Sequence, residues 1–194
     1  MSQFEVFNRF LLNFCFFTED ELKTFNEKCV LKSFIKGDRL ISINNKSNSL
    51  YFLTKGVVKY SIINNEGEEV IYNFRMENMT VTAYSFYNNN IAKFNVDCLE
   101  DCEVISIPVD AVSYVAYNFK NGILLRGLLA EAHILELVNL LTDKDTRSVI
   151  ERYINIEQQF PNIHQRVSQS LIANYLGVSQ EHLSRLKKSR SVYS

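Results

Sequence analysis

The sequence predicts an α+β chain in three parts: an antiparallel β-roll preceded by two helices, a long helix apolar on two adjacent faces, and a C-terminal helix-turn-helix. Three observations carry this expectation. Residues 34–108 alternate β-branched and aromatic runs with polar turns, the pattern of about eight short strands. Residues 118–141 carry apolar side chains at alternating spacings of four and three. Residues 169–188 fill a two-helix template slot by slot. The corresponding division is 1–117 for the roll with its N-terminal helices, 118–142 for the long helix and 143–194 for the helix-turn-helix unit.

At the N-terminus, Phe7, Phe10, Leu11 and Phe14 recur at helical spacing, and Thr18 with Glu21 three residues on forms a capping box that opens a second helix. The strands follow. Leu50 to Leu53, Val57 to Ile63 and Glu69 to Phe74 are strand runs, and Asn64-Asn65-Glu66-Gly67 is a hairpin turn between the last two. Asn44 to Ser49 and Asn88 to Asn90 are further breaks, and Val104 to Pro108 closes the roll.

In the long helix, Ile123, Gly127, Ala130, Ile134, Leu137 and Leu141 form a seam of the kind that pairs helices, with Gly127 and Ala130 small enough for close approach. Leu124, Leu128, Leu135 and Val138 form a second stripe beside it. One stripe can cover the chain's own β-roll and the other a second copy of the chain; burial of both within a monomer is the alternative. Asp143-Lys144-Asp145 interrupts the stripe, and Asp145 is placed to cap a new helix from Thr146 towards Phe160.

In the C-terminal unit, Ile172 and Leu176 face inward from the first helix and Ala173 is small where two helices cross. Gly177 supplies a positive φ at the turn, Val178 plugs the corner, Ser179 caps the second helix, and Leu183 and Leu186 anchor it from beneath. Projected at helical pitch, Gln180, Glu181, Ser184, Arg185 and Lys188 fall within an arc of about 140°, opposite Leu183 and Leu186. Arg can read guanine, Glu cytosine and Gln adenine from the major groove, while Lys and Arg hold phosphate. Candidate DNA-contacting residues are therefore Ser179, Gln180, Glu181, Ser184, Arg185, Lys188 and Arg190, with Lys187 adding charge.

Composition narrows the alternatives. Hydrophobic residues make up 46% and charged residues 22%, and 10 tyrosines with 14 phenylalanines supply a large core, so the chain folds. Six glycines stand in neither dinucleotide-binding nor Walker spacing. No apolar run reaches the roughly 18 residues of a membrane span, and residues 10–17 lack the features of a secretion signal, so a soluble cytoplasmic protein without membrane contact is expected. The net charge of −1 conceals an asymmetry: from Arg166 onward five basic residues face the single acid Glu181. Cys15, Cys29, Cys98 and Cys102 lack metal-binding spacing and are expected to be buried free thiols, with no metal and no cofactor. Nucleophile elbows, HExxH and a compact carboxylate pair are lacking, and Glu100, Asp101 and Glu103 stand near a strand end, so no enzyme is expected.

This order of parts resembles the cyclic-AMP receptor protein and FNR (Crp/Fnr) family of bacterial transcription regulators over nearly the full length. Phe34-Ile-Lys-Gly-Asp38 and Leu50-Tyr-Phe-Leu-Thr-Lys-Gly56-Val-Val-Lys-Tyr60 are similar to its strand motifs. Glu151-Arg-Tyr153, Pro161 and Ile172 to Arg185 are similar to members of the Bacteroidetes type. The resemblance implies a cyclic-nucleotide-binding-like roll, a homodimer through Ile123, Gly127, Ala130, Ile134, Leu137 and Leu141, and double-stranded DNA as partner, with RNA polymerase as a further contact. Gln180 stands where the family commonly places Arg, whereas Glu181 and Arg185 keep the family's residue types.

The nucleotide pocket departs from the family. Where cyclic-nucleotide binders carry G-E-[LIV] and then Arg-Ser or Arg-Thr, this chain has Val81-Thr82-Ala83 and Ala92-Lys93. A phosphate buried without a guanidinium meets an uncompensated desolvation cost of several kcal/mol, so cyclic AMP is not expected as the effector. Arg75, Thr82, Tyr84, Ser85 and Lys93 are the candidates for holding some other effector, and a pocket filled by Tyr84, Phe86 and Phe94 is the alternative. The cysteines do not match the iron–sulfur members, and His133 is the one candidate haem ligand. A cupin-like small-molecule binder whose terminal helices serve packing is the rival reading, and a sensor acting on a protein partner is another.

Overall fold

The computed structural model describes residues 2–83 and 91–191, the last three of these by backbone alone. In chain order the elements are α1 (Gln3–Leu12), α2 (Glu19–Glu27), β1 (Val30–Phe34), β2 (Arg39–Ile41), β3 (Ser49–Lys55), β4 (Val58–Ile63), β5 (Glu69–Arg75), β6 (Met79–Val81), β7 (Asn95–Cys98), β8 (Cys102–Pro108), α3 (Val109–Asn118), α4 (Gly122–Thr146), α5 (Val149–Gln159), α6 (Ile163–Arg166), α7 (Gln169–Leu176) and α8 (Gln180–Ser191). Both N-terminal helices start at capping boxes, Ser2 with Glu5 and Thr18 with Glu21.

The strands form two antiparallel four-stranded sheets, ordered β1-β8-β3-β6 and β2-β7-β4-β5. Between β4 and β5 the expected hairpin turn is present: Asn64 Oδ1 accepts from the N–H groups of Glu66 and Glu68. Leu53, Val58, Tyr60, Val96 and Val104 are buried between the sheets. On the outer face of the first sheet, Phe52, Ile105 and Ile107 pack under Phe7 and Leu11 of α1 and Val115 of α3. A third core joins Val57, Ile71, Phe74 and Met76 of the roll to Tyr153, Ile156, Phe160, Ile172, Leu176 and Leu183 of the C-terminal helices. The first helix of the C-terminal pair thus packs directly on β5.

Three expectations about the helices need correction. The long helix does not begin at Asn118, which ends α3; the chain leaves helical geometry at Phe119 and re-enters at Gly122. Gly122 is required there because an added Cβ would lie 1.9 Å from the Val115 carbonyl oxygen. Nor does Asp143-Lys144-Asp145 stop the helix. Asp143 instead pairs with Arg147 one turn on, 2.8 Å apart, and α4 runs to Thr146. Arg147 is extended and Ser148, not Asp145, caps the next helix, its capping box completed by Glu151. The third correction concerns faces: Leu124, Leu135 and Val138 do not cover the β-roll but stand exposed, as do Ile123, Ile134, Leu137 and Leu141. Leu125 and Leu129 pack on the core under α1 and α3, while Glu136 joins β5 by hydrogen bonds.

All four cysteines are free, but only Cys98 and Cys102 are buried; Cys15 and Cys29, which follow the ends of α1 and α2, are half-buried. Among the described residues, no helix is long and apolar enough to cross a membrane. Likewise, no group of three or more His, Cys, Asp and Glu could hold a metal ion.

Candidate nucleic-acid interface

The C-terminal pair is built as its residue types require. Ser168 caps α7, its hydroxyl accepting from Leu171 N–H, and Ile172, Ala173 and Leu176 turn inward to burial. Gly177 ends the helix in the left-handed region at φ 70°, a conformation that a Cβ would strain. Its N–H satisfies carbonyls of α7, and Val178, half-buried, hydrogen-bonds back to Ala173. Ser179 then caps α8, its hydroxyl accepting from His182 N–H at 3.2 Å. Leu183 is wholly buried and Leu186 half-buried, fixing which side of α8 faces in.

The opposite side faces out. Ser179, Gln180, Glu181, Arg185 and Lys188 are exposed, and Ser184 is half-buried between them and the core. The side chain of Arg190 lies outside the described residues. Lys187 is drawn aside, its ammonium 5.4 Å from the centre of the Tyr153 ring. Glu181 does not hold Arg185 in an ion pair, as one-turn spacing would allow. Its carboxyl sits at the helix start, held below the usual range by its own N–H, then by the Ser179 hydroxyl, with Arg185 a more distant influence. A first-turn acid at a positive helix end explains the preference. Arg185 is exposed, and the outer face combines amide, carboxylate, guanidinium and ammonium groups on one capped helix.

Two contacts that no local pattern announced fix this pair to the roll. Asn174 of α7 hydrogen-bonds through both ends of its amide to the free edge of β5. Arg166 joins Glu77 at 2.6 and 2.8 Å and also grips Glu100. Burial acts to raise the Glu77 carboxyl, but Arg166 and the N–H of Gly56 outweigh it and hold it low. The hydrogen bonds that Arg166 donates to Glu77 and then to Glu100 raise its guanidinium further above the ordinary range. The positive excess of the C-terminal segment is therefore smaller than its composition implies, because Arg166 is spent on two acids of the roll.

Of the candidate effector residues that are described, Arg75 and Thr82 meet at Tyr60, whose ring centre lies 5.5 Å from the Arg75 guanidinium, and Lys93 stands apart on the surface. Arg75 is buried and paired with Glu136. Thr82 is buried, its N–H donating to the Tyr60 hydroxyl and its carbonyl accepting from it. Lys93 is exposed, and Ala92 beside it is buried with no polar group to offer. Tyr84, Ser85 and Phe86 lie outside the described residues, while Phe94 packs edge-on against Tyr60 and Tyr72. His133 shares a hydrogen bond with Thr80 and lies beside Glu136.

Comparison with known proteins agrees with this architecture. Residues 31–116 match the family of cyclic nucleotide-binding domains. The chain is 22% identical over 176 residues to the HTH-type transcriptional regulator ArcR of Staphylococcus epidermidis, covering 85% of this chain and 77% of that protein. Its fold is similar to that of FixK2 from Bradyrhizobium japonicum, with a TM-score of 0.68, 15% identity and 85% of each chain covered. It is likewise similar to a Eubacterium rectale protein placed in the crp/fnr family of transcriptional regulators, with a TM-score of 0.69, 15% identity and coverage of 91% and 85%.

Proposed function

We propose that this chain is a transcription regulator of the Crp/Fnr type that binds double-stranded DNA as a homodimer, with α8 as the recognition helix in the major groove. One observation carries the reading: a capped helix buries Leu183 and presents Gln180, Glu181, Arg185 and Lys188 together to solvent. Buried anchors on one side and readers on the other are what a recognition helix needs. Residue types that pair with base edges, beside one that holds phosphate, favour sequence-specific over purely electrostatic binding.

The dimer is assigned to α4. Its exposed Ile123, Ile134, Leu137 and Leu141, flanked by Leu124, Leu135 and Val138, leave more apolar surface uncovered than a helix end requires. Gly127, with open space around it, allows a second helix to approach closely. The roll is read as unresponsive to cyclic AMP, since Ala92 replaces the phosphate-binding guanidinium and Thr82 is engaged by Tyr60. The resemblance of residues 151–185 to members of the Bacteroidetes type, action in the cytoplasm, no catalytic activity and contact with RNA polymerase complete the proposal.

Repeated selection of bound duplexes from a random pool tests it. The expected outcome is an inverted repeat with half-sites centred one helical turn, about 34–36 Å, apart. A pool that stays random after selection would instead favour a cupin-like small-molecule binder, and a single unrepeated motif would remove the dimer.

A further inference from the structure

Arg75 on β5 is 1% exposed, and a guanidinium taken out of water needs an anion and geometry that occupies its donors. Its Nη1 and Nη2 donate to the two carboxylate oxygens of Glu136 at 2.6 and 2.8 Å. Nε donates to the Thr80 carbonyl at 3.2 Å, and Nη1 also reaches the Phe74 carbonyl at 3.0 Å. The carboxylate is held from two further sides. Asn73 Nδ2 donates to it at 2.9 Å, and His133 Nδ1 lies 3.8 Å away while its Nε2 shares a hydrogen bond with Thr80 Oγ1. A fork, an amide and an imidazole around one carboxylate make a recognition site, not a chance surface pair.

The carboxylate so held comes from far along the chain. Glu136 lies on α4, 61 residues from Arg75, with Ile134 and Leu135 before it and Leu137 and Val138 after it. Burial opposes its charge, and His133, Arg75 and Asn73 together overcome that and hold the carboxyl down at about 2. We propose that the Arg75 cradle is a carboxylate-binding site whose resident ligand is Glu136 of the chain's own α4. The roll and α4 are thereby joined without any outside anion, and emptying the cradle turns it into a site for a free small carboxylate. The inference extends the regulator reading to its effector side, but its test reads stability and does not depend on DNA.

The experiment is thermal unfolding of the full chain and of Glu136→Ala, each in sodium acetate and in sodium chloride of equal ionic strength. Glu136→Ala should lower Tm by roughly 10 °C in chloride, as expected when one partner of a buried pair is removed. Acetate should restore at least half of that loss and saturate in the millimolar range. Wild-type protein, its cradle already filled, should not distinguish the two salts, and neither should Arg75→Met/Glu136→Ala. Acetate that acts no better than chloride on Glu136→Ala, that rescues the double variant equally, or that shifts wild-type protein saturably would overturn the proposal. If Glu136→Ala is obtained only by refolding, the yield in the two salts takes the place of Tm: a gain in acetate lost with Arg75→Met supports the site, and equal yields refute it.

Discussion

The side-chain amide of Asn174 meets the main chain of Ile71 as a neighbouring strand would, Oδ1 accepting from the Ile71 N–H at 2.8 Å while Nδ2 donates to the carbonyl of Glu69 at 2.7 Å. β5 is an edge of its sheet, so these groups would otherwise be unpaired. One residue of α7 thus closes a sheet edge and sets the C-terminal pair against the roll.

Replacing Asn174 with Leu should leave the Ile71 N–H without its partner under a covered edge, at a cost of about 1–3 kcal/mol. Urea unfolding measures this directly. Hydrogen exchange at Ile71 should accelerate together with that of α7, and a variant as stable as wild type would show that the docking rests on the apolar core alone.

The Glu136 carboxyl, held at about 2 in the folded protein against an ordinary value near 4.5, makes a pH prediction. A depressed carboxyl stabilises the fold above its unfolded value and loses that contribution as pH falls through the folded one. The stability advantage of wild type over Glu136→Gln should therefore be full above about pH 5 and shrink steadily towards pH 2. An advantage independent of pH across that window would mean that the carboxylate charge is not what holds α4.

Much of this fold is written locally. Capping boxes at Thr18 and Ser148, the Asn64 to Gly67 turn and the Gly177 corner each act within four residues, so spacing alone reveals them. Ser148 with Glu151 was as legible as Thr18 with Glu21, yet the charged run at Asp143 to Asp145 drew the expected helix end upstream; acids and a lysine are compatible with a helix when Arg147 answers Asp143. What spacing cannot show is pairing at long range. Asn174 lies over a hundred residues from its partners, Arg166 is 66 and 89 residues from Glu100 and Glu77, and Arg75 is 61 from Glu136. For that reason Arg75 read as a candidate anion receptor, whereas its anion is supplied within the chain.

Cyclic AMP should not bind. Calorimetry with millimolar nucleotide should give no saturable heat, since Ala92, set by the resemblance where cyclic-nucleotide binders carry arginine, is buried and has no polar side chain. A micromolar dissociation constant would mean that other donors accept the phosphate.

Charged replacements at Leu137 and Leu141, 40% and 68% exposed, should leave the fold intact and separate the protomers. Light scattering should report monomers of Leu137→Glu/Leu141→Glu, with weakened DNA binding. A dimer that persists would place the interface off α4.

Base reading by α8 is measured by the ratio of affinities for a selected site and for random duplex in wild type, Arg185→Ala and Lys188→Ala. A bidentate guanine contact is worth roughly 1–3 kcal/mol of discrimination, so Arg185→Ala should reduce that ratio by the corresponding factor per half-site and flatten the preference at one base pair. Lys188→Ala should weaken both duplexes alike and lower the salt slope by about one. A wild-type ratio near one, or a ratio untouched by Arg185→Ala, would mean that Arg185 does not read a base.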